Sequence, residues 1–132
     1  MPSLHASGRI VIDASSLLTD KRGRELIEEV KNRGIKIYVS DTLMSEYRRN
    51  VEKTIGFRMF SVRLSELESR SLLKRIRDEE LTKVIVGHDA HLINLALTVG
   101  ACIIISEDKN ARKKAEKHNV KALPAEEFLE DC

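Results

Sequence analysis

The chain has 132 residues, with 23 Lys and Arg against 21 Asp and Glu, a net charge of +2. Hydrophobic residues make up 42% and charged residues 33%, a globular mix that excludes disordered, collagen-like and coiled-coil classes. The near-neutral balance excludes a strongly basic nucleic-acid clamp, so any attraction to RNA or DNA must come from local patches.

In chain order, Arg9-Ile10-Val11-Ile12 is a continuous apolar run of the kind buried on both faces of a parallel sheet. Asp20 then opens a helix whose Leu26, Ile27 and Val30 share one stripe, closed by Gly34. Ile35 to Val39 is a second strand. Ser40-Asp41 caps the next helix, which carries Leu43, Met44, Tyr47 and Val51. From Gly56 to Leu81 the spacing of Leu64, Leu67, Leu72, Leu73 and Ile76 predicts helix with one core-facing stripe. Lys83 to Val86 reads equally as a short strand or a loop. Asp89 opens an apolar helix through Val99, closed by Gly100, and Ala101 to Ile105 is the clearest strand. A basic helix spans about Lys109 to His118, followed by an edge strand Val120 to Leu123 and a last helix from Ala125. Strands separated by helices predict one α/β domain over residues 1–132: a three-layer α/β/α sandwich with a central parallel sheet of four to five strands.

The longest mostly apolar stretch, Leu92 to Ile105, falls short of the ~20 residues that cross a bilayer. Residues 1–8 carry no basic-then-apolar leader, and Cys102 and Cys132 are too few for a disulfide framework. The expectation is a cytoplasmic protein with no membrane partner. There is no Gln, while Glu, Lys and Arg abound, a composition resembling that of heat-adapted proteins.

Ligand sites of open parallel sheets lie outside the carboxyl ends of the strands. Asp13 ends the first strand, Glu46 sits on the helix after the second, Asp89 starts a helix, and Ser106-Glu107-Asp108 ends the strand at Ile105. These acids from four segments converge on one edge. Two carboxylates ~4 Å apart repel by about 4 kcal/mol at an effective dielectric of 20, and a divalent cation removes that repulsion. Magnesium suits hard oxygen ligands and completes its shell with water and substrate phosphate. The predicted chemistry is metal-assisted phosphodiester hydrolysis. Each acid also has a plain alternative. Asp41 is an N-cap, Asp89 can be one as well, and Glu46 alone reads equally as a solvated helix charge. Of the adjacent pair, Glu107 is read as surface and Asp108 as the pocket residue.

Four motifs carry a resemblance. Val11-Ile12-Asp13-Ala14-Ser15, Ser45-Glu46-Tyr47-Arg48-Arg49, Asp89-Ala90-His91-Leu92-Ile93-Asn94-Leu95-Ala96 and Ile105-Ser106-Glu107-Asp108-Lys109 stand in that order. Together they resemble the PIN domain family of metal-dependent ribonucleases, which includes toxins of the VapBC type. The resemblance implies Asp13, Glu46, Asp89 and Asp108 as the catalytic and Mg²⁺- or Mn²⁺-holding acids, with Ser15 and Ser106 in support. It also implies single-stranded RNA as substrate, a homodimer and, in the toxin branch, an inhibitory antitoxin protein; other members process RNA or have lost activity. Arg48, Arg49, Lys109, Arg112 and Lys113 flank the acids and suit a phosphate backbone. The stretch from Gly56 to Leu81 matches nothing in the family and is where substrate or partner choice is expected to reside. His88 and His91 lack further ligands for a structural zinc site, and Ser15-Ser16 lacks a nucleophile elbow. Two other classes compete: a PIN-like module that binds RNA or protein without cutting, and a receiver-like signalling domain. The latter wants paired acids after the first strand, where only Asp13 stands.

Overall fold

A computed structural model describes residues 8–87 and 89–130, which leaves His88 and Cys132 outside the described residues. The elements run β1 (Arg9–Ile12), α1 (Ala14–Leu17), α2 (Lys21–Arg33), β2 (Lys36–Ser40), α3 (Asp41–Val51), α4 (Gly56–Ser69) and β3 (Leu73–Ile76). A short 3-10 turn, Asp78–Glu80, precedes α5 (Ala90–Val99), β4 (Ile103–Ile105), α6 (Lys109–Lys117), β5 (Ala122–Leu123) and α7 (Ala125–Glu130). The five strands form one sheet in the order β3-β2-β1-β4-β5, and every pairing is parallel. Helices cover both faces, so this is an α/β fold built around a parallel sheet. The central strands are apolar throughout because both their faces are covered: Ile10 to Ile12 and Ile103 to Ile105 are each at most 2% exposed.

The order places the site. From β1 the chain steps outward through β2 to β3, then returns to the other side of β1 for β4 and β5. The reversal lies between β1 and β4, and it is at such a reversal, outside the carboxyl ends of the strands, that α/β sheets place their ligands. Register fixes what faces it. Ile12 pairs with Ile105, so the next residues, Asp13 and Ser106, emerge side by side. The Asp13 amide donates to the Ile105 carbonyl at 2.8 Å, carrying the ladder one step further.

The structure corrects some expectations and settles an open one. The stretch from Gly56 to Leu81 is not helical throughout: α4 ends at Ser69, Ser71 takes a left-handed φ of 58°, and β3 follows. Leu72, Leu73 and Ile76 fit a helical stripe and a short edge strand equally well; pairing with β2 decided it. Lys83 to Val86 is a loop. Only Ile85 is buried there, and the Asn94 side chain substitutes for a neighbouring strand: its Oδ1 accepts the Ile85 amide at 3.2 Å and its Nδ2 donates to the Ile85 carbonyl at 3.0 Å. At the start of α3 the capping side chain is that of Ser40, which accepts the Leu43 amide at 3.1 Å. Asp41 is the first helical residue, and its carboxylate accepts the Asp78 amide at 3.1 Å. Asp20 stands before α2 without a side-chain capping bond.

Candidate metal and nucleic-acid site

Asp13 occupies the N-cap of α1 and is 8% exposed. Its Oδ1 accepts the Ala14 amide at 2.8 Å, while Oδ2 accepts hydroxyl protons from Ser106 at 2.8 Å and Ser15 at 3.0 Å. Burial raises its pKa, the Ser106, Ser15 and Ala14 hydrogen bonds pull it down, and the charge of Glu46 pushes it up again. The result is a pKa above the ordinary carboxylate value. The two serines are themselves held by the β4 turn. Ser15 Oγ accepts the Glu107 amide at 3.0 Å, and Ser106 Oγ accepts the Asp108 amide at 3.1 Å.

Glu46 approaches from α3, which is anchored against β1 by Tyr47. The Tyr47 ring is fully buried, meets Phe60 edge-on at 6.2 Å, and its hydroxyl donates to the Ile12 carbonyl just before Asp13. Glu46 Oε2 lies 3.1 Å from His91 Nε2, on α5. A carboxylate only accepts, so Nε2 carries the proton. The other ring nitrogen, Nδ1, is buried with no partner among the described residues. Burial lowers the imidazole's pKa, but the bond to Glu46 and the charges of Glu46, Asp13 and Asp89 outweigh it and raise the value. Asp89 precedes α5 with φ 64°, a left-handed backbone rare for a non-glycine residue, and its side chain makes no capping bond. The charges of Asp13, Glu46 and Asp89 therefore meet at His91. Sequence reasoning weighed His91 only as a zinc ligand; the signal it missed is helical phase, which turns His91 of α5 toward Glu46 of α3.

Asp108 stands at the N-cap of α6, where its Oδ1 accepts the Asn110 and Ala111 amides at 2.9 and 3.4 Å. It is linked to Asp13 through Ser106. Glu107 is exposed as a residue, yet its carboxylate accepts the Ser16 hydroxyl at 2.6 Å and the Ala125 amide at 2.9 Å, tying α1 to the start of α7. Among the basic residues, Arg48, Lys109 and Lys113 are exposed, and Arg49 reaches Glu46 at 3.9 Å. Arg112 is committed elsewhere: its guanidinium donates to the Ser106 carbonyl at 2.9 Å.

The donor set is made of hard oxygens, which suits Mg²⁺ or Mn²⁺ rather than a thiophilic metal. No group of three His, Cys, Asp or Glu side chains gathers at metal-holding spacing among the described residues. The charge of Glu46 acting on Asp13 is a repulsion that a bound cation would offset, with water and substrate filling the rest of its shell.

No protein-family model and no curated protein matches the chain. Among solved structures, a PilT N-terminus domain protein from the hyperthermophilic archaeon Sulfolobus solfataricus superposes with a TM-score of 0.62 at 23% identity, over 93% of this chain and 92% of that one. PAE2754 from Pyrobaculum aerophilum superposes with a TM-score of 0.58 at 18% identity, over 96% and 92% of the two chains. At such identities the likeness shows the fold, which is PilT N-terminus (PIN)-like. Among the described residues, no helix is long and apolar enough to cross a membrane.

Proposed function

We propose that the protein is an endoribonuclease that hydrolyses phosphodiester bonds of single-stranded RNA with Mg²⁺ or Mn²⁺. The observation that carries this reading is the Asp13–Glu46 pair, a buried carboxylate with a second one acting on it at the reversal between β1 and β4 of a PIN-like fold. Asp13 and Glu46 would hold the ion, with Asp89 and Asp108 reaching it through water. The ion would neutralise the acids, bring the phosphate to them and stabilise the charge that develops on it. Asp13 is kept in one orientation by Ser15, Ser106 and Ala14. Glu46, steadied by His91, orients the attacking water and accepts its proton as the water oxygen bonds to phosphorus and the leaving oxygen departs. Arg48, Lys109 and Lys113 bear on the flanking phosphates.

One observation favours a second reading, a module that binds RNA without cutting it: the described acids do not gather in threes. Cleavage of a mixed-sequence single-stranded RNA with Mg²⁺, Mn²⁺ or EDTA, by the natural protein and by Asp13→Asn, separates the two. The nuclease reading expects metal-dependent cutting that Asp13→Asn loses. Binding without cutting by the folded natural protein would establish the second.

A further inference from the structure

Beside the acids a groove of about 290 Å³ runs between α1 and the end of α3, lined by Ala14, Ser15, Leu18, Thr19, Asn50 and Thr54. It adjoins the acid site through Ser15, with Asn50 nearby on α3. Ser15 lines the groove and donates to Asp13 at 3.0 Å. Asn50 stands one helical turn beyond Glu46 on the same face, and its Nδ2 donates to the Glu46 carbonyl at 2.8 Å.

The polar lining is mainly accepting. A carbonyl can only accept, so Asn50 Nδ2 spends one hydrogen on Glu46 and Oδ1 is left as an acceptor. The Thr19 hydroxyl spends its proton on the Ser16 carbonyl at 2.9 Å. Thr54 spends its own on the Asn50 and Val51 carbonyls at 2.9 and 3.1 Å. Three oxygen acceptors remain beside the second Nδ2 hydrogen of Asn50, above an apolar floor of Ala14 and Leu18, with no charged side chain in the lining. Such a surface offers a phosphate no cation and few donors. It accepts a flat, partly apolar group that brings its own N–H donors, and the volume lies at the small end of ligand sites.

We infer that this groove receives the nucleobase next to the scissile phosphate and selects bases bearing an exocyclic amino group. The inference rests on the ribonuclease reading and adds to it a source of base preference lying outside the acids. A base lacking the amino group leaves acceptors of the groove facing it without donors, and the preference follows from that loss.

The test is binding by fluorescence anisotropy in EDTA, where no metal-dependent cutting competes. Oligomers of adenosine are compared with oligomers of purine riboside, which lack only the amino group. The natural protein is expected to bind the adenosine oligomer about 3- to 10-fold more tightly, the range of one or two neutral hydrogen bonds. Asn50→Ala, at an exposed position where melting should be unchanged, is expected to show a smaller preference. Equal binding of the two oligomers by the natural protein would overturn the subsite and leave the nuclease reading standing. A preference undiminished in Asn50→Ala would also overturn it. Failure of the natural protein to bind either oligomer would overturn the subsite as well, while metal-dependent cutting tests the nuclease reading separately.

Discussion

Ionising Asp13 in the folded chain takes a carboxylate out of water and sets it against Glu46, and its three hydrogen bonds offset only part of that cost. An acid with a raised folded pKa loses stability as pH rises from its unfolded value through its folded one. At neutral pH without divalent metal, Asp13→Asn should therefore melt above the natural protein, since the neutral amide can still accept the Ala14 amide. With millimolar Mn²⁺ the order should narrow or reverse if, as proposed, the ion binds the natural acids more tightly than the amide; thermal melts with and without the metal check this. His91 has the opposite sign. Its raised pKa means the bond to Glu46 contributes fully below the ordinary value of 6.5 and fades as pH rises through the folded value. In metal-free buffer the stability gap between the natural protein and His91→Gln should be wider near pH 5.5 than near pH 8.5. A gap independent of pH would mean the imidazole acts through shape alone.

Helix α4 is fastened by one buried side chain. Arg63 is 4% exposed and donates to the carbonyls of Leu17, Thr19 and Asp20 at 2.7 to 2.8 Å, closing the backbone between α1 and α2. Gly23 of α2 makes room for it: a Cβ there would collide with the guanidinium and with the Leu17 carbonyl. Alanine is favoured over glycine inside a helix by ~1 kcal/mol, yet the collision costs about 1–3 kcal/mol. Gly23→Ala should come out neutral to destabilising by about 2 kcal/mol in urea unfolding, where helix propensity alone predicts a gain. None of this was legible beforehand, because an Arg in a polar helical stretch reads as solvated and its acceptors lie more than 40 positions away. By contrast, β1, β2 and β4 were legible, since strands covered on both faces read as mostly apolar runs. Asp13 and Ser106 followed from where those strands stop. Asp108 shows the limit of such reasoning: a capping bond to the next turn and a place in a metal pocket want the same residue at the same position.

Over the whole molecule a net charge of +2 leaves attraction to a polyanion to a few side chains. If Lys113 meets one phosphate of a single strand, Lys113→Ala should reduce the slope of log affinity against log salt by about 0.7. A titration at three or four salt concentrations measures this, and an unchanged slope would place Lys113 off the RNA path. The parallel sheet also joins distant parts of the chain, since β1 pairs with β2 on one side and with β4, residues 103–105, on the other. That pairing carries a consequence for the chain while it is being made. Asp13 is synthesised early, but Ser106, the Glu107 amide that holds Ser15, and the Ile105 carbonyl that accepts the Asp13 amide come some ninety residues later. A ribosome-bound chain that has emerged only through α4 holds Asp13 and Glu46 but has no partner strand on one side of β1. If the protein cuts RNA as proposed, the site would be completed only once β4 is made, so a partly made chain would not yet hold it.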